Sequence, residues 1–144
     1  MKKQKKMKSA GNTDQHMQWW RNAKFGMFIH WKLYALAGRS EWVMNFEDIP
    51  PVEYRRLGQE FNPRYFNAAI WAKTAREAGM KYMVLTAKHH DGFCMWNTKT
   101  TEFNSFKTAA KRDFVAEYVT ACRAEGLKVG IYFSLVDWNH ATAI

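Results

Sequence analysis

Tyr82-Met83-Val84-Leu85-Thr86-Ala87-Lys88-His89-His90-Asp91-Gly92-Phe93 is the stretch on which the reading of the whole chain turns. Its first half is a short apolar run with the length and composition of a buried strand. Its second half sets two imidazoles and a carboxylate where that strand ends. Titratable side chains at the end of a buried strand mark the place where α/β folds put their chemistry. Two other runs end in a similar way. Phe25-Gly26-Met27-Phe28-Ile29 leads into His30-Trp31, and the run from Val129 to Leu135 leads into Asp137-Trp138.

The stretch also belongs to an internal repeat. Arg76-Glu77-Ala78-Gly79-Met80-Lys81 precedes it, and Arg123-Ala124-Glu125-Gly126-Leu127-Lys128 precedes the third run, with Gly79 and Gly126 lying 47 residues apart. Each copy reads as helix, glycine stop, strand. Asn67 is placed to cap the first helix, whose Ile70, Trp71, Thr74, Ala75 and Ala78 recur at helical spacing; Asp113 is placed to cap the second, whose Val115, Tyr118, Val119 and Cys122 share a face. Tandem helix–strand units predict parallel strands with helices packed outside. A doubly wound sheet and a barrel both meet that description. The first strand is not followed by a Gly-rich phosphate loop, which argues against nucleotide binding. The segment from Tyr34 to about Pro63 reads as irregular, with a short helix between Val52 and Leu57.

Strand parity assigns faces. In the third run Val129, Ile131 and Phe133 point one way, toward helices, and Gly130, Tyr132 and Ser134 the other. The 47-residue register matches Tyr132 with Leu85 and so predicts that His89 continues the same inward set, with His30 sharing the parity of Gly26 and Phe28.

At 144 residues the chain is one domain or part of one. The net charge of +9 is concentrated at the N-terminus, where Lys2, Lys3, Lys5, Lys6 and Lys8 supply five charges. Residues 1–18 are therefore expected to be a basic, disordered tail, and 19–144 the structured body. A solvated tail is the simpler reading than a specific nucleic-acid contact. No apolar core follows these lysines, so no intact signal peptide is expected, and no apolar run is long enough to span a membrane. The two cysteines, Cys94 and Cys122, lack metal or disulfide spacing and read as buried thiols.

Three blocks, Phe25-Gly26-Met27-Phe28-Ile29-His30-Trp31, Ser40-Glu41-Trp42 and Ala87-Lys88-His89-His90-Asp91-Gly92-Phe93, resemble the N-terminal part of the α-L-fucosidases of glycoside hydrolase family 29. Thr101-Glu102-Phe103-Asn104-Ser105, Lys111-Arg112-Asp113 and Gly130-Ile131-Tyr132-Phe133-Ser134 extend the match in order, from Trp19 to Asn139. The resemblance implies an α/β chain forming about the first three strands of a partial (β/α)8 TIM-like barrel. It implies retaining hydrolysis of terminal α-L-fucosides of glycans by two carboxyl groups, with no metal or organic cofactor. It places His30, Glu41, Trp42, His89, His90 and Tyr132 on fucose-contacting positions. Imidazole and carboxylate groups suit sugar hydroxyls, and Trp42 suits an apolar edge such as the fucose methyl. The family's nucleophile and acid/base match nothing up to Ile144, so the chain alone is expected to be inactive. Asp91 is read as orienting its loop. The family's His-Trp-Gly is here His30-Trp31-Lys32, which is expected to bring a cation near the pocket and to strain the loop if φ is positive. A fucose- or carbohydrate-binding module without catalysis is the alternative reading. A metal site built on His30, His89, His90 and Asp91, or a glycosidase pair of Glu41 and Asp91, ranks below both. The family is often secreted or lysosomal, but the compartment of this chain stays open.

Overall fold

The computed structural model describes residues 12–140. Strands β1 (Gly26–Ile29), β2 (Tyr82–Lys88) and β3 (Lys128–Phe133) form one parallel sheet in the order β1-β2-β3. The helices are α1 (Asn12–Ala23), the single turns α2 (Val43–Phe46), α3 (Pro51–Tyr54) and α4 (Leu57–Glu60), and the longer α5 (Ala68–Glu77) and α6 (Phe114–Ala124). None of them is long and apolar enough to cross a membrane.

The predicted caps start α5 and α6. Asn67 Oδ1 accepts from the Ile70 N–H at 3.1 Å, and Asp113 Oδ1 from the Ala116 N–H at 2.8 Å. The other Asp113 oxygen accepts from the Asn97 N–H at 3.0 Å, pinning the preceding loop to the helix. Gly79 and Gly126 end the helices in the left-handed region, with φ of +84° and +69°.

Both helices pack on one face of the sheet. Ala72, Ala75, Phe114, Tyr118 and Cys122 meet Met83 and Leu85 in a fully buried layer. An aromatic wedge continues this core beneath the strand ends. Trp31 stacks on Phe66 at 5.4 Å and meets Trp71 and Phe114 edge-on, while Phe61 lies against Phe93 and Phe114. Such ring pairs add about 0.5–1.5 kcal/mol each beyond their buried area, so much of the aromatic content serves packing.

The opposite face of the sheet carries neither α5 nor α6; α1 meets it only at the start of β2, where Trp20 packs on Tyr82. Phe28, at its centre, is 54% exposed. On the helix side, cover also runs out at the end of β3, where Ile131 and Phe133 are exposed although parity had assigned them to a covered face. Val129 alone of that set packs against the core.

Two expectations need correction. First, the strands pair with Tyr82 beside Lys128 and Thr86 beside Tyr132, an offset of 46 residues rather than 47. Partners in a parallel ladder share a face, so Tyr132 goes with Thr86, and Leu85 goes with Ile131 toward the helices. Register follows the backbone hydrogen bonds, which ignore the repeat. His89 nevertheless reaches the inward face, because the ladder skips Ala87 between Thr86 and Lys88. The Ala87 carbonyl turns to accept from the Met95 N–H at 2.9 Å. This extra residue restores His89 to the side of Tyr132.

Second, residues 12–18, expected to be disordered, form the first part of α1. Trp20, one turn further on, lies 4.5 Å from the Tyr82 ring, which gives the helix an apolar anchor on the sheet. The basic residues 1–11 lie outside the described residues.

Candidate active site

Three strand exits converge on the face opposite α5 and α6. β1 delivers His30, the bulged end of β2 delivers His89 and His90, and β3 delivers Tyr132. The His30 and His89 rings are 5.1 Å apart; Tyr132 stacks beside His89 at 5.7 Å and lies 6.2 Å from His30. His90 adjoins His89 at 4.3 Å and meets the Trp42 ring edge-on at 5.1 Å. Trp42, just before α2, keeps 36% of its surface exposed. The five rings make one continuous wall.

Glu41 sits at its margin. Its Oε2 is 3.5 Å from the Ser40 hydroxyl, which in turn accepts from the Trp42 N–H at 3.1 Å. Its charge reaches the wall through Tyr34, whose phenol is held well above its ordinary range, chiefly by burial, with the carboxylates of Asp91 and Glu41 adding to the effect. A phenol that keeps its proton can donate it, and Tyr34 Oη lies 2.6 Å from His30 Nδ1. With the phenol as donor, the His30 proton lies on Nε2.

His89 is only 3% exposed, and its Nδ1 has no hydrogen-bond partner among the described residues. A buried polar atom left unpaired costs about 1–3 kcal/mol, a penalty that a bound hydroxyl would relieve. Its pKa falls to about 4, first through burial, then through His90, Lys32 and His30, with Asp91 opposing. His89 is thus neutral at pH 7, able to donate from one nitrogen and accept at the other.

This shift predicts a pH dependence. An unfolded histidine takes up its proton near 6.5, whereas folded His89 waits until about 4. Between those values the unfolded state binds more protons, so stability rises with pH. The His89 contribution is complete above pH 6.5 and is lost as pH falls toward 4. Against a His89→Gln variant, the parent chain is expected to lose up to about 3 kcal/mol between pH 7 and 4. Urea denaturation at a series of pH values measures the difference.

Below the wall lies a second layer. Lys32 and Asp91 are both 0% exposed and form an ion pair. Lys32 also donates to the Phe93 carbonyl at 2.7 Å, and Asp91 accepts from Tyr54 Oη at 2.9 Å and from the Phe93 N–H at 3.2 Å. Lys32 thus brings the expected cation close to the wall, near enough to oppose protonation of His89, and its φ of −173° is ordinary extended backbone, without the strain that a positive φ would bring. Asp91 orients its loop, as read from the sequence. Its inward position also removes it from the metal-site and carboxylate-pair readings. Asp137 is likewise engaged, 3.1 Å from Lys88 Nζ, which also donates to the carbonyls of Ser134 and Val136 at 3.2 Å each.

A sequence profile described as alpha-L-fucosidase matches residues 1–144. The chain belongs to the α-L-fucosidase family. The tissue α-L-fucosidase of Bos taurus is 37% identical over 139 residues, which cover 85% of this chain and 30% of that protein. The chain thus spans under a third of the length of this curated relative. Among solved structures, α-L-fucosidase isoenzyme 1 from Paenibacillus thiaminolyticus superposes with a TM-score of 0.86 at 50% identity, covering 88% of this chain and 30% of its own. The α-L-fucosidase AlfC from Lactobacillus casei, in complex with α-L-fucose product, gives 0.82 at 39% identity, covering 88% and 42%.

For a fucosidase-family chain, the wall contains two contributors that sequence reading had not placed there, Tyr34 and Trp138, and a third, Ser134, that strand parity had put on the inward face. Tyr34 is one turn beyond His30, in the 3₁₀ segment Leu33–Leu36, and hydrogen-bonds that histidine at Nδ1. Ser134 Oγ is 2.5 Å from His90 Nδ1 and passes its own proton to the Val136 carbonyl at 3.1 Å. Trp138 lies edge-on to Trp42 at 5.1 Å and beside His90 at 5.2 Å, with its backbone N–H on the His90 carbonyl at 2.7 Å. Parity with Tyr132 had put Ser134 on this face, though not against His90. No sequence signal marks Tyr34 or Trp138 as neighbours of the histidines.

Proposed function

We propose that residues 19–144 are the sugar-recognition wall of a retaining α-L-fucosidase, forming the first strands of a (β/α)8 barrel whose two reacting carboxyl groups come from polypeptide beyond Ile144. In that reading His30, Glu41, Trp42, His89, His90 and Tyr132 hold a terminal α-L-fucose of a glycan or glycoside. Neutral His89 and the Nε2 proton of His30 meet the hydroxyls, Glu41 accepts from another, and Trp42 covers the apolar edge. Fixed in this way, the anomeric carbon is offered to a carboxylate that attacks it while a second carboxyl protonates the leaving oxygen and later activates water. The bare sheet face around Phe28 and Tyr132 is then the barrel interior, and the free edges of β1 and β3 await neighbouring strands.

The observation that carries the proposal is the meeting of His30, His89 and Tyr132, one from each strand, on the uncovered face. The short coverage of the relatives supports the incomplete barrel. A carbohydrate-binding module without turnover draws support from the commitment of Asp91 and Asp137 to buried lysines.

Hydrolysis of a chromogenic aryl α-L-fucoside and calorimetric titration with fucose test the proposal. The chain alone is expected to show no turnover, and fucose affinity that falls at least tenfold in His89→Ala, the loss of one well-made hydrogen bond. Adding the remaining family-length polypeptide is expected to restore hydrolysis; binding without any restored turnover would favour the module. Turnover by the isolated chain, abolished in His89→Ala, would place the reacting carboxylates within it.

A further inference from the structure

The Lys32–Asp91 pair does not touch the exposed wall, yet it joins the segments that build it. Lys32 is two residues beyond His30, and Asp91 immediately follows His90. The other bonds at the pair hold its own loop closed and tie in two further segments. Tyr54 brings α3 to the carboxylate, Phe93 closes the loop after β2, and Asn139 reaches in from beyond β3, its Nδ2 donating to the Asp91 carbonyl at 2.9 Å. All three strand exits therefore meet at one residue. We infer that Lys32 and Asp91 are positioning residues that clamp the loop after β1 to the loop after β2 and so set His30 against His89 for sugar binding. This inference rests on the fucose-site reading above.

Two physical features support a dedicated role. A buried ammonium and carboxylate persist only when fully hydrogen-bonded, and here the pair has those partners. The clamp also acts as a field beneath the wall. The charged or titratable groups around His89 are His90 on its own loop, His30, Lys32 and Tyr34 from the exit of β1, Asp91 below, and Tyr132 from β3. Lys32 and Asp91 push His89 in opposite directions, the ammonium opposing its protonation and the carboxylate favouring it. Burial lowers the lysine's own proton affinity, and Asp91 resists that drop.

The test is an NMR titration of the histidine ring signals in the full chain and its variants, paired with calorimetric fucose binding. Lys32→Met is expected to raise the His89 midpoint by about one unit and Asp91→Asn to lower it, while both weaken fucose binding roughly tenfold. A role confined to folding would not give shifts of opposite sign. Lys32→Met/Asp91→Asn removes both charges while keeping one oxygen for the Phe93 N–H and an amide N–H that Tyr54 Oη can accept, and serves if either single variant fails to fold. It is expected to fold and still bind fucose about tenfold more weakly. Unchanged affinity in the double variant would overturn the inference, whatever its His89 midpoint, since removing both charges lets their opposed effects cancel. A parent chain with no fucose affinity, whose single variants show the opposite shifts, would overturn the sugar reading and leave the clamp standing.

Discussion

Asp91→Ala is expected to destabilise the protein by about 3–5 kcal/mol, the cost of leaving one charge of a buried pair without its counter-ion. The alanine strands the Lys32 ammonium at zero exposure with the Phe93 carbonyl as its remaining acceptor, and it takes the acceptor from Tyr54 Oη. Lys32 has no short route to solvent, because Tyr34 and Phe93 flank its Nζ at 6.0 and 5.7 Å from their ring centres. Urea denaturation followed by tryptophan fluorescence reads the loss. Adding Lys32→Met to Asp91→Ala is expected to recover part of it, since the stranded charge goes. A loss below about 1 kcal/mol would mean that the lysine finds another partner.

Gly92→Ala is expected to cost about 3 kcal/mol, which for a chain of this size lowers Tm by roughly 10 °C. Gly92 has φ of +78°, where a side chain is strained in any surroundings. The space is also taken. A Cβ there would press into the Asp137 carboxylate and come within 2.9 Å of Asn139 Cβ. Relief requires moving Asp137, which holds Lys88, and Asn139, which holds the Asp91 carbonyl. The substitution therefore disturbs the β3 exit as well as its own loop. A thermal melt beside Gly38→Ala gives the control, because Gly38 shares the left-handed conformation with φ of +66° but has open space around its missing Cβ.

What the sequence disclosed was mostly local. Asn67 and Asp113 act on N–H groups three residues ahead, and Gly79 and Gly126 act on their own backbone, so each could be read without knowing the fold. The strands were visible as apolar runs because both the ladder and the helix layer need them so. Of the short turns, α3 overlaps the helix read between Val52 and Leu57, whereas α2 and α4 were not seen, since four residues are too few to show a helical period. In the site, four of the six expected residues lie in motifs at the strand ends and Glu41 and Trp42 lie in the loop before α2; all but Glu41 form the ring wall. The supporting layer depended on distance in space. Nothing around Lys32 announces a carboxylate 59 residues away, and a lysine is a residue that composition alone would leave in water. Trp138 and Tyr34 were hidden for the same reason. The register slipped because similarity between two repeat units reports ancestry of the pattern, whereas pairing reports which N–H meets which carbonyl.

The bulge at Ala87 turns this slip into a property of the molecule. Side-chain direction along a strand is binary, so the residue left out of the ladder behaves like a phase inversion: everything before it keeps Leu85 toward the helices, and everything after it is counted from the opposite sense. His89 and His90 are adjacent and chemically identical, and only this inversion decides which of them is enclosed beside Tyr132 and which leans out against Trp42 and Trp138. The difference between the two imidazoles is thus written in the length of the chain rather than in any side chain, and substitution at Ala87 leaves that count intact.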